Sequence, residues 1–344
     1  MTPPRVALAA IVLLLVAWIG LKAIDNFSQF VTVTLNGLSL SALYFVVASG
    51  FTLIFGLMRV VNMAHGSLYL LGGYLALNFQ QKLFQKDDGG LNLSLSAGGG
   101  GGGGEYNLIG WLVPLLMSVL IIGILGVAIQ QLFLRWNQGQ DLRQALITIA
   151  ISVIAADQML AAYGGIAKDI KAPSSFPESI SVSSVHVGFF RLVIVVGSAL
   201  LIGLGLWLLI RRTRYGKIVR AGVDDRDMVS ALGINVQLVF AGAFFIGAML
   251  AGYGGVLGGT MLSLQPGEDT SFLLNSLIVV IIGGMGSLGG AAIGALALGL
   301  VDAYADVYLI FGDHDYTNYS ILLTFALLVA VLAVRPLGLF GRPA

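Results

Sequence analysis

RRTRYGKIVRAGVDDRDMVSALGIN, residues 211–235, is the one long polar break in a chain that is otherwise one apolar run after another. It holds six of the eighteen basic residues: Arg211, Arg212, Arg214, Lys217, Arg220 and Arg226. Basic residues are retained on the cytoplasmic side of a membrane, so this segment orients every apolar run around it. It also carries a helix signal. Asp224 or Asp225 can cap a start, and Gly233 can end the helix about two turns later. A short helix held at the membrane face between two spans suits a domain that a separate soluble partner pushes on. The plainer alternative is a solvated, positive-inside loop with no partner.

Around this break, hydrophobic residues make up 57% of 344 and charged residues 10%, against about 25% charged in soluble domains. Mean hydropathy is +0.93. The fold class is therefore an all-α polytopic membrane protein. A net charge of +1 gives no basic field for nucleic acid. The absence of cysteine excludes disulfides, thiol nucleophiles and Cys-based metal sites. His65, His186 and His314 are far apart and show no metal-ligand spacing. The GxxxxGK[ST] phosphate loop is absent; Gly216-Lys217 lacks both the preceding loop and the following hydroxyl. No cofactor is expected on this chain, and any ATP must be bound by another one. No nucleophile–base pair stands out, so an intramembrane enzyme is disfavoured and no catalytic residue is assigned.

A membrane helix needs about 20 apolar residues. Ten candidate spans follow: 6–21, 30–57, 67–79, 108–134, 145–162, 189–210, 238–262, 272–284, 291–311 and 319–334. The first could be a cleaved signal, but Ala17-Trp18-Ile19-Gly20 is a poor cleavage pattern and favours a retained helix, residues 1–29 in all. Residues 272–284 are short enough to be broken or re-entrant. The loop at 80–107 contains seven consecutive glycines, 98–104, and reads as a flexible insertion. The loop at 163–187 has a β-like stretch at 180–187, and 265–270, with Pro266, Glu268 and Asp269, reads as an outer turn. With both termini cytoplasmic, twelve of the eighteen basic residues fall inside and six outside, the bias that the positive-inside rule requires.

Gly254/Gly258, Gly255/Gly259, Gly286/Gly290 and Gly290/Gly294 are spaced for close helix approach. Two tight turns, 62–66 and 283–290, each follow an apolar run and precede a Gly-rich helix, a weak parallel internal repeat. Freed backbone at such breaks can meet a polar solute. Candidate path residues are Asn62, His65 and Gly66 in the first turn and Gly284 and Gly286 in the second. Asp157, beside Gln158, joins them because intramembrane charge is costly and often functional. Asp302 and Asp306 form a second polar pair. A packing role is the plainer reading for each of these residues.

Asn36-Gly37-Leu38-Ser39 through Phe55-Gly56, then Val61-Asn62-Met63-Ala64-His65-Gly66-Ser67 and Gly72-Gly73-Tyr74, resemble the amino-terminal half of the branched-chain amino acid ABC transporter permeases of the LivH type. Arg220-Ala221, Asp224-Asp225 and Ala231-Leu232-Gly233-Ile234-Asn235 resemble that family's coupling loop. Gly283-Gly284-Met285-Gly286-Ser287 resembles its late glycine motif, and Arg335-Pro336-Leu337-Gly338-Leu339-Phe340-Gly341 its carboxy-terminal signature. The motifs stand in the expected order over residues 30–344. The resemblance implies an importer in a prokaryotic inner membrane, with two permease subunits (homologous or identical), two cytoplasmic ATPases and an extracytoplasmic binding protein. Asp224, Asp225, Met228, Ala231, Leu232 and Gly233 would dock in an ATPase groove. The extra first helix, the long glycine loop and Ser67, where relatives often carry an acidic residue, depart from the pattern. They leave open branched-chain amino acids, other amino acids, urea or short amides, and aromatic acids. The alternative is an ion-coupled secondary transporter with Asp157 and Asp302 as proton sites, in which the lone chain would drive uptake from a pH gradient.

Overall fold

The computed structural model describes residues 26–58, 62–84, 106–137, 139–177, 179–182, 185–224, 226–311, 314–315 and 317–341. The expected first helix at 6–21, the glycine run at 98–104 and Asp225 lie outside the described residues.

Among the described residues eleven α-helices follow in order: α1 (Phe27–Met58), α2 (His65–Phe84), α3 (Leu108–Ile129, continuing through a π turn at Gln130–Leu134), α4 (Asp141–Tyr163), α5 (Phe190–Arg212, its first turns π-helical), α6 (Arg214–Asp224), α7 (Arg226–Ala231), α8 (Val236–Met261), α9 (Glu268–Gly283), α10 (Leu288–Tyr308) and α11 (Ser320–Val334). A hairpin of β1 (Ser179–Val182) and β2 (Val185–Gly188) falls on the β-like stretch; β3 (Ile310–Phe311) pairs with β4 (His314–Asp315). That second pair ends α10 three residues before the expected boundary. Among the described residues six helices, α1, α3, α4, α5, α8 and α10, are long and apolar enough to cross a membrane. The apolar helices α2, α9 and α11 are shorter or more polar. These nine coincide with nine of the ten expected spans, the tenth lying outside the described residues, and the all-α polytopic fold stands.

α8 lies at the centre, packed against α1, α2 and α3, while α10 runs along α1. Glycine makes this density possible. A Cβ at Gly255 of α8 would overlap the Tyr69 carbonyl oxygen of α2, so the two backbones touch. Leu43, Val47, Phe51, Tyr69, Tyr74, Ile122, Leu257, Ile282 and Leu298 fill the space between and are fully buried. α4, α5 and α11 stand at the periphery with few side chains buried.

Candidate functional site

α2 and α9 both begin inside the bundle. The His65 imidazole Nε2 is 3.0 Å from the Val47 carbonyl oxygen. Val47 stands eleven residues before the α1 end at Met58, about 16 Å at the helical rise. Gly66 is pressed so closely on the Asp269 carbonyl that a Cβ there would overlap it. From this meeting point the two helices depart in opposite senses. α2 runs to the far loops, where Gln80 Nε2 donates to the Lys171 carbonyl at 3.0 Å. α9 runs to the end of the bundle that carries the basic segment, where Gly286 meets Gly56 of α1. The expected outer turn is thereby corrected: Asp269 is 5% exposed and belongs to the interior. Polar, turn-forming neighbours such as Gln265, Pro266 and Gly267 make this stretch look like a solvent loop in sequence.

A polar cluster surrounds the two helix starts. Ser67 Oγ lies 2.8 Å from Ser152 Oγ of α4 and 3.5 Å from Asp269 Oδ2. The Met63 amide donates to Thr148 Oγ1 at 3.2 Å, and the Ala64 amide donates to Asn62 Oδ1 at 3.1 Å. Asn62 Nδ2 and His65 Nδ1 are buried without a partner. Asn62, His65 and Gly66 thus come together, joined by Ser67, marked in the sequence only as a departure from the family pattern, by Asp269, expected in an outer turn, and by Thr148 and Ser152, which the sequence did not single out. The i, i+4 spacing of Thr148 and Ser152 was the available signal, since it puts two hydroxyls on one face of an apolar helix.

The remaining path candidates lie elsewhere. Gly284 and Gly286 are at the basic end. Gly284 adopts φ +97°, and a Cβ on it would overlap the Gly341 amide nitrogen. There the carboxy-terminal stretch caps α9: the Leu339 and Phe340 amides donate to the Ile282 and Gly283 carbonyls at 2.8 and 3.0 Å, satisfying groups that a helix end leaves open. Asp157 and Gln158 point outward from α4. Asp302 accepts from Tyr44 Oη at 2.9 Å and from Thr324 Oγ1 at 2.7 Å, tying α10 to α1 and α11.

The basic segment is more ordered than a loop with one short helix. Thr213 Oγ1 accepts from the Gly216 amide at 3.1 Å and starts α6, a helix missed because its charge reads as solvation. Asp224 is the last residue of α6 rather than a cap, and α7 follows at Arg226. Gly233, at φ +79°, ends the elbow. Val219, Val229, Val236, Val239 and Phe240 root it on α8, with Leu288 of α10 packed alongside. Tyr215 Oη donates to the Val239 carbonyl at 2.9 Å, and burial pushes its pKa up to about 12, so the donor stays protonated. Outward, Met228 is 64% and Leu232 73% exposed, with Ala231 beside them.

The sequence pattern of the family described as "Branched-chain amino acid transport system / permease component" matches residues 33–332. The high-affinity branched-chain amino acid transport system permease protein BraD of Pseudomonas aeruginosa is 30% identical over 90% of this chain and 94% of its own length. The corresponding LivH protein of Escherichia coli K12 is 30% identical over 93% of this chain and 98% of its own. Among solved structures, PsaBC from Streptococcus pneumoniae in complex with Fab aligns over 91% of this chain and 94% of its own at 11% identity, with a TM-score of 0.45. The relatives are permeases, transport subunits and not enzymes. With a pattern matched along nearly its whole length and two full-length relatives, this chain belongs to the family of branched-chain amino acid transport system permease components.

Proposed function

We propose that the chain is one of two permease subunits of an ATP-driven importer in a prokaryotic inner membrane, with both termini cytoplasmic, and that it moves branched-chain or related small amino acids. Two cytoplasmic ATPases grip the α6–α7 elbow, and an extracytoplasmic binding protein delivers solute at the opposite end. The permease does no chemistry and binds no ATP. Hydrolysis by its neighbours biases it between inward- and outward-open states, to the extent that the two states differ in affinity for the nucleotide-bound partner. The names of the relatives support the substrate class.

The observation that carries the coupling role is the exposure of Met228 on α7 and of Leu232 just past its end, on an elbow rooted firmly in α8. An apolar pair held out at a charged surface suits a hydrophobic groove in a partner. Outward polarity supports the second subunit. α3, α5 and α11 present apolar side chains outward along their middles, but α4 presents Asp157 and Gln158, and the first turn of α9 presents Thr270 and Ser271. A carboxylate facing lipid is costly, so we assign these two faces to a water-lined seam with the second permease. In proteoliposomes holding the purified ATPases, Leu232→Asp is expected to abolish stimulation of ATP hydrolysis by solute-loaded binding protein while the helical content of the chain is kept. Full stimulation would refute the docking role.

A further inference from the structure

We propose that the facing starts of α2 and α9 form a binding site for the head group of an α-amino acid: the Asp269 carboxylate takes the ammonium, and the Asn62 amide with the α2 N-terminus takes the carboxylate. This rests on the transport reading above and specifies where, and by which charges, solute is recognised.

Asp269 is a nearly buried carboxylate whose side-chain hydrogen-bond partner among the described residues is the Ser67 hydroxyl, at 3.5 Å. A carboxylate inside a bundle calls for a paired cation or several donors, and 3.5 Å is the outer limit of a hydrogen bond. Asn62 Nδ2, in the turn that opens α2, is a buried donor with no acceptor. One group lacks a cation and the other an acceptor; Asn62 stands four residues before Gly66, which touches Asp269.

The start of α2, with no acidic residue in its first turn, adds a partial positive charge to the donor side, whereas the first turn of α9 carries Glu268 and Asp269 and belongs to the cation side. A simple anion would be repelled by Asp269, and a simple amine would leave the Asn62 donor and the α2 terminus unmet. A zwitterion answers both. The backbones of Gly66 and Asp269 are in contact, so the site is shut in this conformation, and admission requires α9 to move away from α2. Thr270 and Ser271, exposed on the same first turn of α9, mark the side from which solute enters.

The chain has no cysteine, so Thr270→Cys gives a single thiol at the mouth. In the assembled transporter in proteoliposomes, labelling of that thiol by a maleimide is followed with leucine, with 4-methylpentanoate (which lacks the amine) and with 3-methylbutylamine (which lacks the carboxylate). Leucine is expected to protect and the two half-analogues are not. Asp269→Asn is expected to lose protection and Asp269→Glu, which keeps the charge, to retain it. Asn62→Ala is expected to weaken it. Equal protection by 4-methylpentanoate, or protection that survives Asp269→Asn, overturns the site. ATP-dependent leucine uptake with no protection by leucine overturns the site and leaves the transport reading standing. No uptake of any amino acid sinks the transport reading, and the head-group assignment with it.

Discussion

Gly66 and Gly205 bracket what a single methyl group can do here. A Cβ at Gly66 would run into the Asp269 carbonyl, whereas at Gly205, on the outer face of α5, it would meet nothing within 4 Å. Gly66→Ala is therefore expected to destabilise the chain, with overpacking at about 1–3 kcal/mol, and to lower its melting temperature in detergent. Gly205→Ala, in open space on a helix, is expected to leave melting unchanged or raise it slightly. Equal behaviour of the two would mean that α2 and α9 do not meet as described. The sequence already marked Gly66, together with Asn62 and His65, but for its turn rather than its contact. Asp269 escaped notice because a hydropathy window sees only that residues 265–270 are polar. It cannot see that the chain falls back into the bundle before α9 begins. Asp302 shows the converse. Two hydroxyl donors, Tyr44 and Thr324, satisfy its two oxygens, which accounts for a half-buried carboxylate as a clamp between helices.

At the scale of elements, α9 is a 16-residue strut, with the polar cluster at one end and the carboxy-terminal cap at the other. The resemblance of residues 335–341 to a family signature was legible in sequence; the reason for it was not, because the hydrogen bonds to Ile282 and Gly283 join positions more than fifty residues apart. Gly338, at φ +79°, has the Ile281 carbonyl oxygen and the Gly284 amide nitrogen 2.5 and 2.6 Å from where a Cβ would stand. Gly338→Ala is expected to loosen the cap and speed proteolysis of the carboxy-terminal end. An unchanged digestion pattern would count against the cap. The α6–α7 elbow was half legible: the charges and Gly233 announced it, but the Thr213 cap was hidden among arginines. Tyr215→Phe removes the bond to Val239, worth about 1 kcal/mol in typical cases, and is expected to lower the number of solutes moved per ATP with little change in the folded fraction. A drop in folded fraction alone would make Tyr215 merely structural.

For the whole molecule, the outward faces divide into apolar ones and those of α4 and α9. Hydropathy identified α4 as a span and flagged Asp157, but only the packed structure tells which way Asp157 points, because a helix with apolar residues nearly all round has little periodicity to read. If α4 lines an aqueous seam between two permeases, Asp157→Cys in the assembled transporter is modified by a charged thiol reagent and Leu201→Cys, outward on α5, is not. Equal protection of both would place α4 against lipid. The claim beneath all of this is that nucleotide hydrolysis by neighbouring subunits, acting through the basic elbow, drives the bundle. The direct measurement is uptake of labelled leucine into proteoliposomes carrying this chain with its partner permease, the two ATPases and the binding protein. Accumulation against a gradient is expected only with hydrolysable ATP, and none from the chain alone under an imposed pH gradient. Accumulation by the lone chain, with no ATPase present, would contradict the account.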